Sequence, residues 1–170
     1  MDIGDASQGT FNSYSLILLV LHFLQVGASP PVLPCLQLEF PHFFNTNMIL
    51  SEMKLFSDLP GPLQPMEENK KTVAELLIAF FDYYCRFDFE NNAISIRRGC
   101  VFPRTHLASN TERYRVFIEE PFEGLNTARC VRNAEHWDRI QDAFWKARDQ
   151  LHCGSGPPTL KHLKIKSSHY

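Results

Sequence analysis

Two short stretches carry the side chains best suited to chemistry. The first is Asn12-Ser13-Tyr14-Ser15, which leads into the apolar run Leu16-Ile17-Leu18-Leu19-Val20-Leu21-His22-Phe23-Leu24. Asn12 and Ser13 can cap a helix. A helix starting at Ser13 offers a hydroxyl, the Tyr14 ring and free N–H groups at its first turn, a combination that suits a phosphate with a base beside it. Read alone, the stretch fits a core helix with an ordinary cap better than a nucleotide site, because such caps are common. The second stretch is Glu119-Glu120-Pro121-Phe122-Glu123. Its carboxylates can accept hydrogen bonds from the N–H and amino groups of a base; read alone, Glu119 and Glu120 fit an exposed strand end better. Asp88 and Glu90, two residues apart, can share one side of an extended segment and face Mg²⁺. Arg97 and Arg98 suit an RNA phosphate, and a solvated pair equally well. His22, within an apolar run, fits a satisfied core histidine better than a ligand.

The elements that must position these residues are bounded by size and composition. The chain has 170 residues, 44% apolar and 21% charged, the profile of one globular domain with a real core. The net charge of −2 gives no global pull towards nucleic acid, so any RNA contact must be local. Cys35, Cys85, Cys100, Cys130 and Cys153 are odd in number and widely spaced. That pattern suggests neither a disulfide framework nor a zinc site, and free thiols in a reducing compartment are the simpler account. The Leu16–Leu24 run is too short to span a bilayer, and Asp2 and Asp5 give it the wrong charge for a signal peptide. The expectation is a soluble, intracellular protein, placed in the cytoplasm with the nucleus also open, and with no membrane contact.

Residues 1–8 read as a flexible lead-in, and 9–151 as the domain. Its first helix runs from about Ser13 to Val26 and, being apolar nearly all round, belongs in the domain interior. Gly27 stops it, and Pro30, Pro31 and Pro34 keep the following chain extended. Leu36 to Phe44 reads as an irregular segment over the core. Residues 45–70 read as a long surface connection with a helical turn near Ser51 to Phe56. Thr72 and Glu75 form a capping box. Behind it Val73, Leu76, Leu77, Phe80, Phe81 and Tyr84 share a helix face that ends near Arg86. Ala93-Ile94-Ser95-Ile96 alternates as a strand closed by Arg97-Arg98-Gly99, and a loop follows through Pro103, Ser109 and Asn110. Residues 114–118 form a second strand able to pair with the first. Asn126 or Thr127 can cap a short helix through Val131. A longer helix after Asn133 carries Trp137, Ile140, Phe144, Ala147 and Leu151 on one face. Residues 152–170 read as a disordered basic tail. The fold class is α+β, mostly helical, with a small antiparallel β pair.

Three segments, Gly9–Leu16, Phe87–Arg97 and Ile118–Thr127, occur in the order seen in the noncanonical RNA terminal nucleotidyltransferases, the cytoplasmic poly(A) and poly(U) polymerases. Val73-Ala74-Glu75-Leu76-Leu77 leads into Phe80-Phe81-Asp82-Tyr83-Tyr84 between them. Over roughly residues 8–150 the chain resembles the central, poly(A)-polymerase-associated domain of that family. The resemblance implies that Ser13 touches the triphosphate of an incoming nucleotide and that Tyr14 stacks on its base. Such stacking is worth about 1–3 kcal/mol. It implies that Glu120 and Glu123 lie at the base edge, and it makes Asp88 and Glu90 a structural strand entry. Some uridylyltransferases carry a histidine three residues after the last acid of this loop. Asn126 stands there, an amide that both donates and accepts, so UTP and ATP both stay open as substrates.

The resemblance also implies RNA 3′ ends and a nucleoside triphosphate as partners, and Mg²⁺ in the full enzyme. The family's catalytic domain carries a Gly-Ser motif, an Asp-x-Asp pair and a third Asp that hold two Mg²⁺ ions. In this sequence Gly-Ser occurs only at Gly154-Ser155, and no Asp-x-Asp occurs. The expectation is a nucleotide-recognising domain that is inactive alone, with catalytic residues none and metal ligands none, joined to or served in trans by a catalytic domain. The alternative is a noncatalytic paralogue that binds RNA or protein through an apolar face that would otherwise meet such a domain.

Overall fold

The computed structural model describes residues 3–44, 58–111 and 113–153. Helix α1, Ser13–His22, starts where the Asn12 side chain accepts the Ser15 N–H at 2.6 Å. The run then widens into a π turn, Phe23–Gly27, closed by the Ala28 N–H on the Phe23 carbonyl at 2.7 Å. Gly27 is required there, because a Cβ would stand 2.7 Å from the Phe23 ring. Leu18, Leu19, His22 and Phe23 are buried, but Ile17 and Val20 are 55% and 44% exposed. The expectation of a helix buried all round is therefore corrected: neighbouring elements cover one side of α1, and its apolar far side meets solvent.

Leu36 to Phe44, expected to be irregular, contains one helical turn, α2, Leu36–Glu39. The turn expected near Ser51 to Phe56 lies outside the described residues, as do the tail residues from 154 onward. Helix α3, Val73–Arg86, opens on the expected capping box, with Glu75 N–H on Thr72 Oγ1 at 3.2 Å and Thr72 N–H on Glu75 Oε2 at 2.7 Å. Helix α4, Ala134–His152, is capped by Asn133, whose Oδ1 accepts the His136 N–H at 2.8 Å. The two helices pack through aromatic rings, with Phe144 stacked on Phe80 at 6.0 Å. Arg148 and His152 of α4 both reach Asp82 of α3, at 2.6 and 3.2 Å.

The sheet has three strands, β1 Asn92–Ser95, β2 Cys100–Pro103 and β3 Ile118–Glu119, in the order β2-β1-β3. The antiparallel pair exists, but its second strand is β2, in a segment read as loop. Pro103 signalled a loop, yet it sits at the end of β2, where a missing N–H breaks no inner ladder bond. Gly99, at φ +52°, makes the tight turn between the strands. The strand expected over 114–118 is reduced to its end, and it pairs with β1 in parallel, Ile94 opposite Ile118. The short helix expected through Val131 is a turn instead. Thr127 gives its N–H to the Ile118 carbonyl, and the Val131 N–H reaches back three residues to Ala128.

A main apolar core joins the helices to the sheet region, and a second, smaller cluster of Ala93, Phe102 and Phe117 lies apart from it. Phe11, Leu18, Leu19 and Phe23 meet Tyr84 and Phe89, then Ile94, Val116 and Ile118 of the sheet region, then Ile140 and Phe144 of α4. The core fixes the start of α1 and the chain leaving β3.

Candidate nucleotide site

Ser13 and Tyr14 are the first two residues of α1, and both are exposed. The first N–H groups of a helix have no carbonyl of their own turn to bond. Asn12 takes the one from Ser15 with its side chain and the one from Leu16 with its carbonyl. Those of Ser13 and Tyr14 remain at the helix end, beside the Ser13 hydroxyl. The end is anchored across the molecule, where the Asn12 amide donates to the Thr127 carbonyl at 3.4 Å.

The loop after β3 faces this helix start. Tyr14 donates its hydroxyl to Glu120 Oε1 at 3.1 Å, joining residues 106 apart in sequence. Partial burial, then the Glu120 charge, push the Tyr14 phenol up to about 12. The other Glu120 oxygen accepts the N–H groups of Phe122 at 2.9 Å and Glu123 at 2.6 Å. Glu120 thus shapes its own loop and orients the Tyr14 ring. The loop closes with Glu120 N–H on the Leu125 carbonyl, and Gly124, at φ +72°, supplies the left-handed turn. The Glu123 side chain is exposed, with no hydrogen-bond partner among the described residues.

Ser13, Tyr14, Glu120 and Glu123 therefore gather at one end of α1. Asn126 stands apart. It is 7% exposed, and backbone groups hold its amide: Oδ1 accepts the N–H of Ile118 and of Ala128, both at 3.0 Å, and Nδ2 donates to the Val116 carbonyl at 2.8 Å. Sequence reasoning missed this tie. The signal was an Asn two residues after a loop Gly, a type that readily bonds nearby backbone.

Glu119 is also not the exposed strand end that its sequence suggested. It is 7% exposed and takes Arg98 at 3.2 Å and Arg97 at 3.8 Å. Arg98 also lies over the Phe102 ring at 3.8 Å. Asp88 caps the turn into β1, accepting the N–H groups of Glu90 and Asn91 and the Asn91 side chain; the Asn91 bonds chiefly hold its carboxyl below the usual range. His22 is buried in the core as expected. Its Nδ1 meets the Tyr84 hydroxyl at 2.9 Å, and burial pushes its pKa down to about 4.

Among the described residues no group of three or more His, Cys, Asp or Glu can hold a metal ion. All five cysteines are free thiols, and no helix among the described residues is long and apolar enough to cross a membrane.

Comparison with known proteins shows what the chain is similar to. Residues 72–126 match the model described as Cid1 family poly A polymerase, the PAP-associated domain. The chain is 38% identical over 152 residues to Poly(A) RNA polymerase GLD2 of Mus musculus, covering 88% of this chain and 30% of that protein. It is 40% identical over 151 residues to Poly(A) RNA polymerase gld-2 homolog A of Drosophila melanogaster, covering 84% of this chain and 11% of that one. Its fold matches a structure of the GLD-2/RNP-8 complex at TM-score 0.68 and 33% identity, covering 91% of this chain and 46% of that one. It also matches the Cid1 poly(U) polymerase with Mg 3′-dATP bound, at TM-score 0.68 and 27% identity, covering 92% and 48%.

The fold is thus the α+β domain of RNA-tailing polymerases, with its PAP-associated segment from α3 to the acidic loop. The chain belongs to the noncanonical RNA terminal nucleotidyltransferase family, and it spans about 30% of the length of the mouse relative.

Proposed function

We propose that this chain is the nucleotide-recognising part of an RNA 3′-terminal nucleotidyltransferase, acting in the cytoplasm on ATP in preference to UTP. The observation that carries the reading is the Tyr14–Glu120 hydrogen bond, which sets a helix N-terminus, an aromatic ring and an acidic loop around one space. Ser13 and the first N–H groups of α1 take phosphate oxygens. Tyr14 stacks on the base, and Glu120 and Glu123 accept from its edge. Carboxylates can accept from the amino group of adenine or from the N3–H of uracil, so the preference for ATP rests on the relatives. The relatives at about 40% identity are named as poly(A) polymerases, which supports ATP.

Mg²⁺ enters on the triphosphate; among the described residues no cluster of His, Cys, Asp or Glu offers to hold it. The in-line transfer to RNA needs carboxylates that this sequence does not arrange as Asp-x-Asp, so the chain alone binds without transferring. The exposed apolar side of α1, with Ile17 and Val20, supports docking of a catalytic domain there. Beside it lies a largely apolar groove of about 460 Å³ that includes Tyr14, Leu21, Leu33 and Leu63. The same face is what a noncatalytic binding module would offer.

The test is titration of the chain with ATP and UTP in the presence of Mg²⁺, followed by protein fluorescence, with Tyr14→Ala and Tyr14→Phe alongside. Binding is expected to be tighter for ATP, reduced about tenfold or more in Tyr14→Ala as a base stack is lost, and largely kept in Tyr14→Phe. A folded chain that binds neither nucleotide, or binds them equally in Tyr14→Ala, refutes the site.

A further inference from the structure

The carboxylate of Glu119 has more partners than a strand end requires. Glu119 closes β3 and is 7% exposed. An arginine stands at each of its oxygens: Arg98 Nη2 is 3.2 Å from Oε2, and Arg97 Nη2 is 3.8 Å from Oε1. Arg98 is itself held in place. Its backbone N–H and its Nε both donate to Ser95 Oγ, at 3.1 and 3.3 Å, and the same Nε reaches Glu119 Oε2 at 3.3 Å. Its guanidinium lies 3.8 Å from the Phe102 ring centroid. The turn that carries both arginines is anchored from behind. The Cys35 thiol donates towards the carbonyls of Ile96 at 3.4 Å and Arg97 at 3.2 Å. A Cβ at Gly99 would stand 2.8 Å from Cys35 Cβ, so the turn and Cys35 are in close contact.

Replacing a buried ion pair by apolar side chains is often neutral or stabilising, so stability alone does not account for this arrangement. What it supplies is a fixed position. The Glu119 carboxylate lies under the acidic loop, with Oε1 3.7 Å from where a Gly124 Cβ would stand. The Glu119 backbone pairs with Asn126 at the return of the loop. The next Cα is about 3.8 Å further on, and its side chain points to the opposite side of an extended chain. That side chain is Glu120, whose Oε1 accepts the Tyr14 hydroxyl at 3.1 Å. A shift or rotation of Glu119 therefore reaches the Tyr14–Glu120 contact within one residue.

We infer that Arg97 and Arg98, acting through Glu119, are positioning residues for nucleotide recognition: they hold the acidic loop so that Glu120 meets Tyr14 at the start of α1. Arg98, with the shorter contacts, carries the larger share. The inference rests on the reading of that end of α1 as the nucleotide site.

The experiment uses the full chain with its tyrosines labelled by ¹³C at Cζ, a carbon whose NMR shift follows the hydrogen bonding of the phenol. Tyr14→Phe identifies the Tyr14 signal, and Glu120→Gln gives its position when the charged acceptor is gone. In Arg98→Gln the Tyr14 signal is expected to move towards the Glu120→Gln position while the other tyrosine signals stay in place. ATP, with Mg²⁺ present, is expected to bind that variant about tenfold more weakly, the worth of one hydrogen bond to a charged group. Arg97→Gln should move both readouts the same way and by less. The Arg97 and Arg98 side chains are 36% and 41% exposed, so neither change opens the core. If thermal melting shows that Arg98→Gln unfolds the chain, the Arg98→Gln, Glu119→Gln double variant leaves no buried carboxylate unpaired and takes its place, with the same shift and the same loss expected. Either readout staying at its native value overturns the inference, whatever happens to Tm, because a merely structural ion pair would lower Tm alone. Failure of the nucleotide reading is distinct: the native chain then binds no ATP, and the inference falls with it. Failure of the inference alone leaves ATP binding lost in Tyr14→Ala and intact in Arg98→Gln.

Discussion

Asn126 offers the sharpest test of whether the acidic loop is built as described. Its amide satisfies three backbone groups at once: the N–H of Ile118, the N–H of Ala128 and the carbonyl of Val116. Ile118, Val116 and Ala128 are all almost fully buried, so truncation leaves these groups without a partner. An orphaned buried polar group costs about 1–3 kcal/mol. Asn126→Ala should therefore cost about 3–6 kcal/mol, the low end applying if water enters the space. That is a large share of the roughly 5–15 kcal/mol that holds a domain. Asn126→Asp keeps the acceptor for both N–H groups but turns an oxygen towards the Val116 carbonyl, so it should cost less than alanine and still more than about 1 kcal/mol. Urea unfolding followed by the fluorescence of Trp137 and Trp145 reads both values, with the denaturant slope unchanged if two-state behaviour holds. A base-reading Asn126 would behave oppositely: alanine would leave stability alone and change the ATP to UTP affinity ratio. A loss below about 1 kcal/mol together with such a change would refute the structural account.

Two further perturbations follow from buried polar contacts. His22 is held neutral: the Tyr84 hydroxyl donates to the Leu19 carbonyl at 2.8 Å, so His22 Nδ1 must be the donor towards that hydroxyl. With the folded pKa near 4 against 6.5, its contribution is complete above pH 6.5 and drains away as pH falls towards 4, by about 3 kcal/mol in all. The urea midpoint should fall across that window in the native chain and much less in His22→Phe. Arg104 reaches the carbonyls of Phe89, Thr111, Tyr114 and Arg115 with its two terminal nitrogens. Lysine cannot reproduce that fork, so Arg104→Lys should cost about 2–4 kcal/mol as carbonyls lose partners, seen as a fall in Tm.

What the sequence made legible was whatever short-range pattern controls. The Thr72–Glu75 capping box and the Asn12 and Asn133 caps are local chemistry, and each appears at the expected residue. Strand β2 was hidden because Pro103 advertises a loop, and only the neighbouring strand reveals that its N–H is not needed. The parallel pairing of β3 was hidden because pairing direction depends on where the chain returns, which alternation does not encode. Asn126 was misplaced for a related reason. A motif position says which residue follows the acids, whereas the Val116 and Ile118 backbone decides what the amide is used for. The exposed side of α1 was hidden because an all-apolar helix does not say which neighbour, within this chain or beyond it, covers each face.

The acidic motif shows how two adjacent carboxylates of one type come to different uses. Successive residues of an extended chain point to opposite sides. Glu119, at the end of β3 opposite Ser95, turns inward, where Arg97 and Arg98 from the β1–β2 turn neutralise it. A buried carboxylate is tolerable only with such partners. Glu120 then points the other way, towards Tyr14. Pro121, buried, fixes the backbone, and the N–H groups of Phe122 and Glu123 fold back onto the Glu120 carboxylate. The ion pairs behind Glu119 anchor the strand end. The Asn126 amide anchors the return of the loop ten residues on from Val116. Between two fixed points, the Glu120 carboxylate is held against Tyr14 and the Glu123 backbone folds back onto it, an arrangement that suits the proposed base-reading loop. Removing the Arg98 anchor should therefore loosen the Tyr14–Glu120 contact without touching either residue.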